Sequence, residues 1–257
     1  SLVVNSTIFM STNLRLITIP ISHYSEKVRW ALEYLQIPFQ ELPHMPPFHR
    51  GVTKKYGGTS VPVLVTETVT LADSTDILRY LDTLKPGKLY PTEPELQALS
   101  TELEALFNQT LGVHTRRWGY SYILNPQMVY PKWTQGVPIW EKLLFPIVFP
   151  KVKPIVLKSI DVTETSAIES YREIGRIFDR VSQILADGRK YLLGDRFSAI
   201  DLTFAALAAP MIQPPESHIS PTPIAELPIQ MQTEIRTCQA TSAGEFGLRL
   251  YREHRHQ

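Results

Sequence analysis

The chain has 257 residues, enough for one large domain or two modest ones with cores of their own. Its 26 Lys and Arg against 25 Asp and Glu leave a formal net charge of +1, without the basic excess that a nucleic-acid partner demands. A single cysteine, Cys238, excludes an intramolecular disulfide and a Cys-x-x-Cys redox pair, and fits a reducing compartment.

Residues 1–12 lack the basic stretch and long apolar run of a secretory signal and are expected to be disordered. Residues 14–19 alternate and then turn continuously apolar, as a strand entering a core does, and Pro20 ends them. Residues 25–35 place Val28, Ala31, Leu32 and Leu35 on one helix face. Residues 39–42 resume a strand. Residues 61–65 are β-branched and apolar, with Pro62 at the head where a missing N–H is tolerated, and residues 69–71 read as their hairpin partner. Residues 74–84 are helical, with Ile77, Leu78, Leu81 and Leu84 aligned. This order predicts a mixed four-stranded sheet: a βα half with parallel pairing, then an antiparallel hairpin.

Residues 86–94, dense in Pro and Gly, read as a linker between a domain over 1–85 and a second over 95–257. Beyond it strand signals vanish, and residues 95–122, 164–186, 198–209 and 229–254 predict an all-helical half. Residues 125–154 hold Pro126, Pro131, Pro138, Pro146, Pro150 and Pro154 and read as a loop with short helical turns, a length usually kept for function. The most apolar stretch, 143–157, is interrupted by Lys151, Lys153 and three prolines, and is shorter than the roughly 20 apolar residues of a membrane span.

Four local features, in order, resemble the cytosolic glutathione transferases of serine type. Ser22-His23-Tyr24-Ser25-Glu26-Lys27-Val28-Arg29 resembles their first strand-to-helix turn, and Ser60-Val61-Pro62-Val63 their Val-Pro step before the third strand. Leu71-Ala72-Asp73-Ser74 is similar to their acidic-Ser pair opening a helix, and Leu193-Gly194-Asp195-Arg196-Phe197-Ser198-Ala199-Ile200-Asp201 to the signature of their helical domain. The resemblance covers residues 14–210 and implies an α/β plus all-α fold, a thioredoxin-like N-terminal domain followed by a helical one. It implies glutathione as co-substrate and no metal. Ser22 would contact the sulfur. Val61 and a cis Pro62 would present a strand edge to the cysteinyl backbone, and Asp73 and Ser74, at a helix N-terminus, would take the γ-glutamyl ammonium and carboxylate.

The same residues admit plainer roles. Ser22 or Ser25 is a candidate N-cap of the first helix, and Asp73 or Ser74 of the third. Tyr24 lies inside the turn and is a weaker partner for the sulfur. The Ser198-x-x-Asp201 pair is a capping box worth about 1 kcal/mol, so Asp201 is structural and not a catalytic carboxylate. His44 and His49 flank a Pro-Pro turn and are glutathione contacts or solvated loop residues. The seven histidines show no metal-ligand spacing on a defined element. Trp118, Tyr120 and Trp133, with the Pro-rich segment, are expected to line an apolar acceptor cleft, with Arg116 and Arg117 either reaching toward the thiolate or solvated.

The expected function is conjugation of glutathione to a small, largely apolar electrophile, an activity of detoxification in the cytoplasm. The resemblance also implies a homodimer, and apolar residues beyond one-face needs on the 95–122 helix favour it. The alternatives are a glutathione-binding or partner-binding protein of this fold with little conjugating activity, and a membrane-surface protein using residues 143–157.

Overall fold

The computed structural model describes residues 13–256, so the expectation of disorder for residues 1–12 lies outside the described residues. β1 (Leu14–Thr18) is an inner strand of a sheet ordered β2-β1-β3-β4. It runs parallel to β2 (Phe39–Pro43) and antiparallel to β3 (Val63–Val65), which pairs antiparallel with β4 (Thr70–Leu71). The two-residue period of a strand sorts its side chains. Leu14, Leu16 and Leu64 face α1 (His23–Tyr34) and α3 (Ser74–Leu84), whose Val28, Ala31, Leu32, Ile77, Leu78 and Leu81 complete that layer. Ile17, Val63 and Val65 face the other way, against Val52 of α2 (Phe48–Thr53). This is the thioredoxin-like half, built as its strand and helix periodicities predict.

Residues 85–93 carry no helix or strand, and every later element is helical. α4 (Pro94–Leu106) passes through a π-type stretch at Phe107–Leu111 into α5 (Gly112–Ile123), where one uninterrupted helix was expected. α8 (Glu164–Leu185) and α9 (Ala199–Ile212) follow, α9 being the buried axis of this half. Ser198 and Asp201 form the expected capping box: Ser198 N–H donates to Asp201 Oδ2 at 2.8 Å, and Ile200 N–H donates to Ser198 Oγ at 3.2 Å. The carboxylate also accepts Leu192 N–H at 2.8 Å, and burial raises its pKa to about 6.

Residues 229–254, expected as one helix, are two, α10 (Ile229–Gln239) and α11 (Ser242–His254). Thr241 caps the second by accepting Gly244 N–H at 3.0 Å. The chain folds back so tightly that any Cβ at Gly244 would overlap the Cys238 carbonyl, which explains the glycine.

The Pro-rich region is the largest departure from expectation. It is not a loop but two helices, α6 (Pro126–Trp133) and the 21-residue α7 (Ile139–Ser159). Pro126 occupies the first turn of α6, where no N–H is missed. Pro146, Pro150 and Pro154 recur every fourth residue and all are exposed, so the carbonyls they leave without donors, at 142, 146 and 150, lie on one outward stripe open to water. Phe145, Phe149 and Val152 hold the opposite face in a core shared with Val129 and Trp133. Glu141 pins the start of α7 to the loop after β2, accepting Met45 N–H at 2.8 Å and pairing with His44 Nδ1 at 2.5 Å.

The outward stripe of α7 is apolar as well: Ile139, Leu143 and Ile147 are 74, 73 and 62% exposed, beside Trp140. No comparably exposed large apolar side chain falls on the 95–122 segment among the described residues, so the apolar excess expected there is spent in the core.

Candidate functional site

The turn between β1 and α1 sets up the site. Ser22 N–H closes it onto the Ile19 carbonyl at 2.9 Å, and Ser22 is the N-cap of α1, its Oγ accepting Ser25 N–H at 3.2 Å. An N-cap oxygen accepts and leaves its own proton free, so the Ser22 hydroxyl is a donor at the positive end of a helix. It opens onto a cavity of about 360 Å³ between the two halves of the chain. One wall comes from the sheet half: Ile21, Ser22 and Tyr24, then Pro46, Pro47 and His49, then Ser60 and Val61. Val61–Pro62 is cis, as expected, and so is Pro46–Pro47. The facing wall comes from Arg116, Gly119, Tyr120 and Ile123, one face of α5 at the i, i+3, i+4, i+7 spacing, and from Val152, Ile155, Val156 and Ile160 at the end of α7. Pro210, Gln213 and residues after α9 close the far side.

The sequence-predicted residues divide. Ser22, Tyr24, His49, Val61, Arg116 and Tyr120 all line this cavity. Tyr24 does so with its hydroxyl turned away: it donates to the Asn108 carbonyl at 2.6 Å, in the π-type stretch, and burial pushes its pKa up to about 12. A Cβ at Gly112 would overlap that hydroxyl, which accounts for glycine there. Ser25 is buried outside the cavity lining. His49 is buried too, with Nδ1 lacking any partner, and burial lowers its pKa to about 4, so at neutral pH it is an uncharged ring beside the site.

Asp73 and Ser74 stand at the N-terminus of α3 and Pro62 follows Val61, all three outside the cavity lining. Asp73 is the N-cap, accepting Thr75 N–H at 2.8 Å and Asp76 N–H at 3.1 Å. Ser74 Oγ accepts from Lys27 Nζ at 3.3 Å. Lys27 itself went unremarked in the sequence. It is fully buried, also donates to Thr75 Oγ1 at 3.3 Å and Asn108 Oδ1 at 2.9 Å, and burial, opposed by the Glu104 and Asp73 carboxylates, lowers its pKa to about 8. Its place four residues before Ala31, on the apolar face of α1, was the available signal.

Two expected acceptor-site residues, Trp118 and Trp133, lie off the cavity lining. Trp118 points away from the cavity into the core, donating from Nε1 to Glu234 Oε2 at 2.6 Å, because α5 turns positions 116, 119, 120 and 123 toward the cavity and 118 away from it. Trp133 lies in the core between α6 and α7, behind the wall, where its Nε1 donates to Tyr120 Oη at 3.2 Å and steadies that wall residue. Trp118→Phe should therefore cost about 1–3 kcal/mol in urea unfolding, from the lost bond to a carboxylate, while leaving the KM of any acceptor within about twofold. A large KM effect with little loss of stability would return Trp118 to the site.

Among the described residues, no group of three or more His, Cys, Asp or Glu is placed to hold a metal ion, and no helix is long and apolar enough to cross a membrane. Residues 16–89 match the family model "Glutathione S-transferase, N-terminal domain". No curated protein matches the chain in sequence. Solved structures that share its fold include a glutathione S-transferase of Ceriporiopsis subvermispora in complex with glutathione (18% identity, TM-score 0.60, covering 94% of this chain and 97% of that one). Others are the beta-etherase LigF of a Sphingobium species (17%, 0.59, 92% and 99%) and a theta class glutathione S-transferase of Xanthomonas axonopodis pv. citri with glutathione bound (16%, 0.56, 92% and 97%). Residues 16–89 thus match the N-terminal domain of glutathione S-transferases, and the fold that these solved structures share with the chain continues through its helical half.

Proposed function

We propose that the protein binds glutathione and activates its thiol for addition to a small, largely apolar electrophile. The observation that carries this reading is the Ser22 hydroxyl at the head of α1, opening onto the same cavity as the apolar faces of α5 and α7. A free thiol with pKa near 8.5 is only a few per cent thiolate at neutral pH, and a donor at a helix N-terminus stabilises the anion without acting as a base. In this reading Val61 offers its backbone to the cysteinyl unit and Asp73 and Ser74 hold the γ-glutamyl end at the N-terminus of α3. The uncharged His49 is a further hydrogen-bonding partner for the tripeptide. Arg116 and Tyr120 border the acceptor. The cytoplasm and a homodimer are the setting proposed by resemblance; light scattering should give twice the 29.3 kDa chain mass at micromolar concentration.

The test is turnover with halonitroaromatic, isothiocyanate and epoxide acceptors. Glutathione binding without turnover on any of them would favour the binding-protein alternative. A second reading, attachment to an anionic bilayer surface, draws on the apolar stripe of α7 and on Lys142, Lys151, Lys153 and Lys158 along the same helix. Flotation with anionic but not neutral liposomes is its signature.

A further inference from the structure

Two cations on the cavity wall, Lys132 and Arg116, have no carboxylate partner among the described residues. Lys132, on α6, is 9% exposed, and its one hydrogen-bonding neighbour among the described residues is the Ser220 carbonyl at the long distance of 3.5 Å. Arg116, on the cavity face of α5, has a buried Nε with no acceptor, and no described carboxylate lies within ion-pair reach of either side chain. The lining carboxylate, Glu26, is itself committed to Arg29 and Arg255. Burying an ammonium without a counter-ion is costly, and buried charges in folded proteins are normally paired. The same wall carries apolar side chains, among them Ile123, Val156, Ile219 and Met231.

Resting on the conjugation reading, we propose that the acceptor is an amphipathic organic anion: an electrophile with an apolar or aryl body and one carboxylate or sulfonate, which Lys132 and Arg116 hold. The charge supplies orientation. With the anionic group fixed on α5 and α6, the apolar body lies along α7 and the reacting carbon is aimed at the sulfur beside Ser22.

The probe is 4-chloro-3,5-dinitrobenzoate, compared with its neutral methyl ester. In the reaction the glutathione thiolate forms a C–S bond at the chlorine-bearing carbon, chloride leaves with the C–Cl electron pair, and the thiol proton passes to solvent. Binding is measured first, by calorimetry without glutathione, so that it does not depend on turnover. Wild type should prefer the carboxylate over the ester by about ten- to a hundredfold, the range of a charge-assisted hydrogen bond. Lys132→Met should remove most of that preference while changing ester affinity by no more than about twofold, and Arg116→Gln should reduce it as well. In turnover, Lys132→Met should raise the KM of the benzoate and leave the KM of glutathione unchanged.

Equal affinity for acid and ester in wild type overturns the inference, as does a preference that survives both substitutions. So does a rise confined to the KM of glutathione, which would assign the cations to that peptide's own carboxylates. Carboxylate-selective binding with no turnover of either probe leaves the anion site standing and removes the conjugation reading instead.

Discussion

Glu26→Ala should lower the unfolding free energy by about 3–5 kcal/mol, the cost of breaking one partner out of a buried ion pair. The Glu26 carboxylate accepts Arg29 Nη1 at 2.7 Å and Arg255 Nε at 2.6 Å, with all three side chains almost fully buried. Arg29 reaches on to Glu41, from Nη2 at 2.8 Å, and Arg255 to Glu33. The cluster thus ties α1 and β2 to Arg255, the residue that ends α11. The Trp30 indole reinforces the clamp, donating to the His254 carbonyl at 3.0 Å and packing on Tyr251. With Glu26 gone, two guanidinium groups stay buried with one carboxylate fewer between them. Against a typical total stability of about 5–15 kcal/mol this is a large fraction.

The effect has a pH signature. Burial alone would raise the Glu26 carboxyl, but Arg255 and Arg29 outweigh it and hold it below the usual range. A depressed carboxyl contributes stability above its unfolded value and loses it as pH falls through the folded one. The gap between wild type and Glu26→Ala should therefore be full at neutral pH and narrow in acid below about pH 4.5, the unperturbed value. Hydrogen exchange should locate the damage at α11. A constant gap from pH 7 into acid, or unaltered protection of α11, would show that the cluster does not clamp that helix.

What the sequence made legible follows the strength of each physical signal. The sheet half was readable because Leu14, Leu16 and Ile17 sort by strand period and Ile77, Leu78 and Leu81 by helix period, each with turn residues at its borders. The capping box at Ser198 was readable because its chemistry is local. α7 was not, because each proline was weighed alone as a helix breaker. Their four-residue spacing, which puts every freed carbonyl on the solvent side, is the property that lets the helix continue.

At the site, of the residues chosen by position on a motif, Ser22 and Val61 reached the cavity, while Pro62, Asp73 and Ser74 lie outside its lining. Of the aromatics chosen by residue type, Tyr120 lines the cavity, whereas Trp118 and Trp133 are large and apolar and the core claimed both. Asking which residues share a face with Arg116 would have pointed to Gly119, Tyr120 and Ile123. Lys132 had no local signal. Its interest comes from the absence of a partner, which depends on what the rest of the chain brings near it.

Ser22→Ala should keep most glutathione affinity and reduce turnover by about ten- to a hundredfold at neutral pH. The magnitude follows from the bond removed. A hydrogen bond to a charged partner contributes about 1.5–3 kcal/mol, which lowers a thiol pKa by roughly one to two units. Affinity should persist because Val61, Asp73, Ser74 and His49 are left intact in the proposed peptide-binding set. The loss should shrink as pH approaches the free thiol's value near 8.5, where thiolate no longer has to be induced. Ser22 also caps α1 through Ser25 N–H, so about 1 kcal/mol of stability should go as well. Ser22→Thr retains both hydroxyl and cap and should recover both losses; the pH dependence of the turnover defect is what separates the donor from a merely structural role. Tyr24 is not available as a substitute, since its proton is given to Asn108. If Ser22→Ala matches wild type in turnover and in the thiol titration of bound glutathione, the hydroxyl is not the activating donor. The backbone amides at the head of α1, one of them freed by the substitution itself, would then take that role.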